Sequence, residues 1–128
     1  VSEIEAEPYL LETSLAVNLI RAGRVAPAGA CISVLTLAEL NNGAAKSRNP
    51  EKERERIKHS VGFAKIVTIS EQTATIYSER WRELDIRGTH IKIHDLWNAA
   101  LAIELGIALH GCDRHFERVS HLKYMHIE

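Results

Sequence analysis

Short unbroken apolar runs alternate along this chain with longer stretches whose apolar residues recur at helical spacing. Tyr9-Leu10-Leu11 is such a run, and it stops on Glu12. A short run without polar alternation predicts a strand buried on both faces. Thr13 or Ser14 then predicts a helix start, because a hydroxyl there can accept from the free N–H groups of the first turn. Leu15, Ala16, Leu19 and Ile20 supply that helix with an apolar stripe, and Gly23 is its left-handed stop. Residues 31–34 predict a second strand and 35–45 a second helix, with Leu37, Leu40 and Ala44 on one side. Pro50 follows Asn49 and suits the first turn of a third, highly charged helix that runs to about Val61. Residues 64–69 predict a third strand. Ser70 caps a fourth helix over 71–85, where Ala74, Tyr77, Trp81 and Leu84 fall on one stripe. A loop is expected over 89–94. The stretch 95–105 is apolar nearly all round, which predicts a central helix whose alanines permit close approach to a sheet. A fourth strand over 107–112, a helical turn from Asp113 to Arg118 and an edge strand over 123–127 complete the pattern.

Strands that alternate with helices imply a parallel sheet covered on both faces, a three-layer α/β/α sandwich. Sheets of this kind carry their chemistry at the carboxyl ends of the strands. The 128 residues suit a single domain, 1–128, whose residues 1–7 read as a loose, acidic lead-in. That lead-in lacks the basic start and apolar centre of a secretion signal. No apolar run approaches the roughly 18 residues that would span a bilayer. With 45% hydrophobic and 26% charged residues the composition is that of a soluble globular protein. Cys31 and Cys112 each sit in an apolar run and read as buried free thiols of a reducing cytoplasm rather than a disulfide framework.

The net charge of −1 argues against a basic nucleic-acid binder in bulk. The distribution is uneven, however: 46–58 holds six basic residues against three acidic ones. This is either a solvated helix face laced with charge pairs or a phosphate-facing patch beside an acidic pocket. The acids of such a pocket are Glu12, Glu39, Asp95 and Asp113, each at or near an element boundary. Singly, each has a simpler reading. Glu12 favours the positive end of a helix; Glu39, three residues after Thr36, has capping-box spacing; Asp95 and Asp113 can be N-caps. Together at one sheet edge they would repel one another, raising their pKa values, and a bound cation relieves that repulsion. Oxygen ligands without a Cys/His cluster favour Mg²⁺ or Mn²⁺ over zinc. A hydrated divalent ion of that kind suits phosphodiester hydrolysis. The histidines offer no competing zinc pattern: His90 and His94 fall in the expected loop, and His115 and His121 read as surface or packing residues. No Gly-rich phosphate loop or nucleophile turn is present.

Four segments in order resemble a known family. Leu10-Leu11-Glu12-Thr13-Ser14 looks like its opening Leu-Leu-Asp-Thr-Ser, and residues 32–40, ending Ala38-Glu39-Leu40, look like its second motif. Asp95-Leu96-Trp97-Asn98-Ala99-Ala100 resembles the third, and Asp113-Arg114-His115-Phe116 the fourth. The chain resembles the PIN-domain family, in particular the VapC-like toxins of bacterial toxin–antitoxin pairs, over nearly its whole length. The resemblance implies an Mg²⁺- or Mn²⁺-dependent endoribonuclease, a homodimer, neutralised by a small VapB-like antitoxin. It makes Glu12, Glu39, Asp95 and Asp113 the catalytic, metal-holding quartet, with Ser14 beside the pocket. Arg48, Arg54 and Arg114 would contact RNA phosphates.

This chain departs from the family pattern at several positions. Glu12 stands where the family has Asp. One methylene moves a carboxylate by on the order of 1 Å, and Mg²⁺ tolerates geometry poorly. A misplacement of that size can lower a rate about 10²-fold, so Glu12→Asp is expected to raise cleavage. A further Asp of the family would fall at Ile93, and Gly111 stands where Thr is common. Asn98 replaces an apolar residue one turn from Asp95, either to hold a metal-bound water or to fill a packing gap. The expectation is therefore a ribonuclease toxin impaired by Glu12. The alternative is a catalytically inactive PIN-like module that binds antitoxin or RNA. A signalling receiver domain, of similar size and sheet, would need paired acids after the first strand, and Glu12 stands alone there.

Overall fold

A computed structural model describes residues 6–128. Residues 1–5 of the expected lead-in lie outside the described residues. The elements in chain order are β1 (Tyr9–Leu11), α1 (Thr13–Arg21), β2 (Ala30–Ser33), α2 (Val34–Lys46), α3 (Pro50–Val61), β3 (Lys65–Val67), α4 (Glu71–Ile86), α5 (Ile93–Leu105), β4 (Ala108–Gly111), a 3-10 turn (Arg114–Arg118) and β5 (Tyr124–His126). The strands form one sheet in the order β3-β2-β1-β4-β5, and every pairing is parallel.

The strand order has a functional consequence. From β1 the chain moves outward through β2 to β3, then returns to lay β4 on the other side of β1 and continues to β5. The connections after β1 and β4 therefore leave in opposite directions. That opens a crevice at their carboxyl ends, the place where open parallel sheets bind ligands.

Alternation along β1 divides the core. Tyr9 and Leu11 face a layer built with Leu15, Ala16 and Ile20 of α1, Leu40 of α2 and Val61 of α3. Leu10 faces the other layer, with Leu84 of α4, Leu96, Ala99, Leu101 and Ala102 of α5, Leu109 and Phe116. This is the three-layer α/β/α sandwich expected from the pattern. The alanines of α5 are fully buried, so the helix lies close against the sheet as anticipated.

Several local expectations are corrected. On α4 the buried side runs through Thr73 and Leu84, while Ala74 and Trp81 are exposed. Thr73 replaces the anticipated alanine because it is tied down: its hydroxyl donates to Glu104 and accepts from the Ser70 backbone N–H, closing a capping box. The loop over 89–94 is shorter than expected, since α5 already begins at Ile93. The fourth strand ends at Gly111, which leaves Cys112 beyond it and only partly buried; Cys31 is buried, and both thiols are free. No helix among the described residues is long and apolar enough to cross a membrane.

Candidate functional site

The acids at the crevice are held by different means. Glu12 directly follows β1 and is 1% exposed. It is itself the N-cap of α1, a role the sequence assigned to Thr13 or Ser14. Its Oε2 accepts from the Ser14 backbone N–H at 2.9 Å and its Oε1 from that of Leu15 at 2.7 Å. The Cys112 thiol donates to Oε1 at 3.7 Å. Burial pushes the Glu12 carboxyl above the ordinary range; the two backbone donors oppose that rise and the charge of Asp95 adds to it.

Thr13, released from capping, bonds hydroxyl to hydroxyl with Thr36 at 3.0 Å. Thr36 also contacts Ser33, whose hydroxyl accepts from the Thr36 backbone N–H at 3.1 Å and caps α2. The capping-box reading of Thr36 and Glu39 therefore fails, because the cap lies three residues earlier. Glu39 is left facing the pocket, 3.0 Å from His94 Nδ1.

Asp95 sits in the first turn of α5 rather than at its cap; the capping position belongs to Lys92, which makes no side-chain cap. Asp113 does cap the 3-10 turn, accepting from the His115 backbone N–H at 2.9 Å. The His115 ring lies between the two acids, with Nδ1 2.9 Å from Asp113 Oδ2 and Nε2 2.9 Å from Asp95 Oδ2. The Asp95 contact is a close approach rather than an aligned hydrogen bond. Burial raises the Asp95 carboxyl, against the pull of His115 and Lys92.

A cavity of about 400 Å³ is lined by Glu12, Thr13, Ser14, Glu39, Lys92, Ile93, His94, Asp95 and Asp113. All four acids singled out from the sequence, and Ser14, thus reach one pocket at the switch point. Three lining or bridging side chains were missed: Lys92, the pocket's own cation, and the two histidines. His94 is the neighbour of Asp95, and His115 follows Asp113 by two residues. An imidazole one or two positions from a suspected acid was the available signal.

Asn98 does not line the cavity. It is 1% exposed, and neither its Oδ1 nor its Nδ2 finds a partner among the described residues. Arg48 and Arg54 are exposed and also lie off the pocket lining, while Arg114 is paired with Glu117 at 2.9 Å and Glu128 at 3.1 Å. The charged α3 packs against α1 and α2, and its Arg56 donates to the Ile20 and Arg21 carbonyls at the end of α1.

The donor set is carboxylate oxygen, which suits a hard divalent ion. Mg²⁺ commonly takes only one or two carboxylates and keeps its waters. Among the described residues no three His, Cys, Asp or Glu side chains are gathered closely enough to grip an ion as they stand. The pocket therefore fits a hydrated ion held from the walls, not a closed cage.

Comparison with known proteins follows the same lines. The PIN domain family profile matches residues 9–122. No curated protein sequence matches the chain. Among solved structures, VapBC2 from Rickettsia felis bound to a promoter DNA fragment contains a chain similar at TM-score 0.84 and 24% identity, over 94% of this chain and 98% of that one. DNA-bound VapBC from Salmonella typhimurium is similar at 0.82 and 23%, over 94% and 98%. VapBC-1 from nontypeable Haemophilus influenzae is similar at 0.78 and 25%, over 92% and 96%. The fold is VapC-like.

Proposed function

The chain belongs to the PIN domain family, and from that premise we propose that it is a metal-dependent endoribonuclease of the VapC-like toxin kind, neutralised by a VapB-like antitoxin. The observation that carries the reading is the gathering of Glu12, Glu39, Asp95 and Asp113 around one pocket at the β1/β4 switch point. Four acids from four separate segments do not meet there for capping alone, since Glu39 and Asp95 cap nothing.

In this reading the four acids hold Mg²⁺ or Mn²⁺. When bound, the ion supplies polarisation of the phosphoryl oxygen and a water that is nucleophilic at neutral pH. The chain's own residues do the positioning. Lys92 offers an ammonium at the pocket rim for a substrate phosphate. The Ser14 hydroxyl stands beside the acids. His115 keeps Asp95 and Asp113 apart and oriented, and His94 does the same for Glu39. Arg48 and Arg54, both exposed, extend the RNA path outside the pocket. A homodimer working in the cytoplasm completes the proposal.

One observation favours the inactive-module alternative. Both oxygens of Glu12 are already engaged by backbone donors, so an ion must share them. Incubation with structured RNAs in Mg²⁺, Mn²⁺ or EDTA separates the two readings. Cleavage that needs the ion and disappears in EDTA is expected. Antitoxin or RNA binding without any cleavage would establish the inactive module, and cleavage indifferent to EDTA would sink the metal mechanism.

A further inference from the structure

Gly111 ends β4 beside the pocket, and nothing in its backbone calls for glycine. Its φ is not among the positive ones, which belong to Gly23, Gly29, Gly88 and Gly106. It pairs in ordinary parallel register with His126. The reason for glycine is therefore space. A Cβ at this position would lie 2.7 Å from Glu12 Cγ, 2.9 Å from the Tyr124 hydroxyl and 3.2 Å from Tyr124 Cε1. Contacts under 3.0 Å force something to move, and neither neighbour moves freely. Glu12 Cγ lies mid-chain in a side chain pinned at its far end by the Ser14 and Leu15 N–H groups. The Tyr124 hydroxyl donates to the Asp113 carbonyl at 2.7 Å.

We propose that Gly111 is the positioning residue of the acidic pocket. The space left by its missing Cβ seats the extra methylene of Glu12 on one side and the Tyr124 hydroxyl that braces Asp113 on the other. Glutamate at position 12 and glycine at position 111 then form a matched pair. The Glu12 carboxylate is where the site needs it because residue 111 yields the room. Glu12→Asp alone is accordingly no simple repair, since it empties a space the fold is built to have filled. The proposal deepens the nuclease reading, and its metal arm rests on that reading; its stability arm does not.

The test is a double-mutant cycle on the full chain in metal-free buffer: native, Gly111→Ala, Glu12→Ala and both together. Forcing a methyl into a packed site lowers Tm, here by roughly 5 °C or more with Glu12 present. In the Glu12→Ala background the loss is expected to shrink without vanishing, since the Tyr124 hydroxyl still meets the new methyl. Equal losses in the two backgrounds would overturn the proposal.

Calorimetric titration with Mn²⁺ supplies a readout that packing alone does not move. Gly111→Ala is expected to weaken binding by about 10-fold, the usual scale for a residue that orients a ligand. Glu12→Asp in the Gly111→Ala background should recover part of the binding of Glu12→Asp alone, because the shorter side chain can turn away from the new methyl while the Tyr124 hydroxyl still meets it. Native-like Mn²⁺ affinity in folded Gly111→Ala would refute the positioning role. If the native chain takes up no Mn²⁺, the metal-dependent function fails, and the metal-free cycle still decides the matter of Gly111.

Discussion

The two walls of the pocket place carboxylates by opposite strategies. On the β1/α1 wall Glu12 is buried and fixed by main-chain donors, which are themselves fixed by the helix they begin. On the β4/α5 wall Asp95 and Asp113 have side-chain exposures of 18% and 54% and share one imidazole. A main-chain cradle cannot adjust without unwinding a helix turn. A side-chain clasp can open by rotation. The first wall therefore sets a fixed carboxyl group. On the second, one main-chain N–H also holds Asp113, and it is the contacts to the His115 ring that can rearrange around whatever enters. The lack of a ready three-donor grip among the described residues follows from this division, because the acids of the second wall are turned to His115.

The largest effect separates chemistry from folding. Asp95→Asn and Asp113→Asn should each lower RNA cleavage by on the order of 10²–10³-fold, the scale of losing one well-placed electrostatic group. Neither should move Tm much, since Asn keeps the acceptor that Asp113 offers the His115 backbone N–H and Asp95 caps nothing. Glu12→Ala should behave differently and lower stability as well as cleavage. Removing an N-cap acceptor costs about 0.5–2 kcal/mol, and here two N–H groups are left facing a void. Urea unfolding and initial cleavage rates on the same samples check the contrast. A destabilised Asp113→Asn with an unaffected Glu12→Ala would reverse the assignment of the walls.

The fold was legible because periodicity reports burial, and burial is what a covered parallel sheet demands. Tyr9-Leu10-Leu11 and the alanine-rich α5 could serve no other layer. Where the pattern misled, on α4, hydrogen bonding replaced apolar contact: Thr73 is buried because Glu104 receives its hydroxyl, and no apolar count anticipates that. The acids were legible through element boundaries. What held them was not, because the partners of Asp95 and Glu39 are distant in sequence and meet only through the sheet order. In sequence His115 reads as a surface or packing residue and Gly111 as a departure from a common Thr, since neither the shared clasp nor the shared space is a property of any one segment.

A smaller effect tests how deep the fixed wall extends. Thr36 is fully buried beneath it and joins Thr13 of α1 to Ser33 of β2. Thr36→Val keeps the shape and leaves both hydroxyls short of a partner, a loss of about 1 kcal/mol. Cleavage should fall far less than in Asp95→Asn, because the Glu12 cradle is main chain and stays intact. A larger loss of activity than of stability would mean that the cradle depends on this layer.

The smallest effect comes from a side chain turned away from the acids, toward a cavity at the amino-terminal ends of the same strands. His110 stacks on Tyr9 with ring centroids 4.1 Å apart, and it borders a separate cavity with Glu7, Gly106 and Lys123. Burial lowers its pKa from the ordinary 6.5. The unfolded chain takes up this proton as pH falls past that value, while the folded chain resists it. The contribution to stability is therefore complete above about 6.5 and is lost as pH falls through the lowered folded value. His110→Gln removes that slope. Between pH 7.5 and 5.5 the native chain should lose slightly more Tm than the variant, with no such difference between pH 7.5 and 8.5. A native chain that instead gained stability relative to the variant on acidification would mean that the imidazole is charged in the fold, and the two edges of the sheet would then differ less in character than their burial implies.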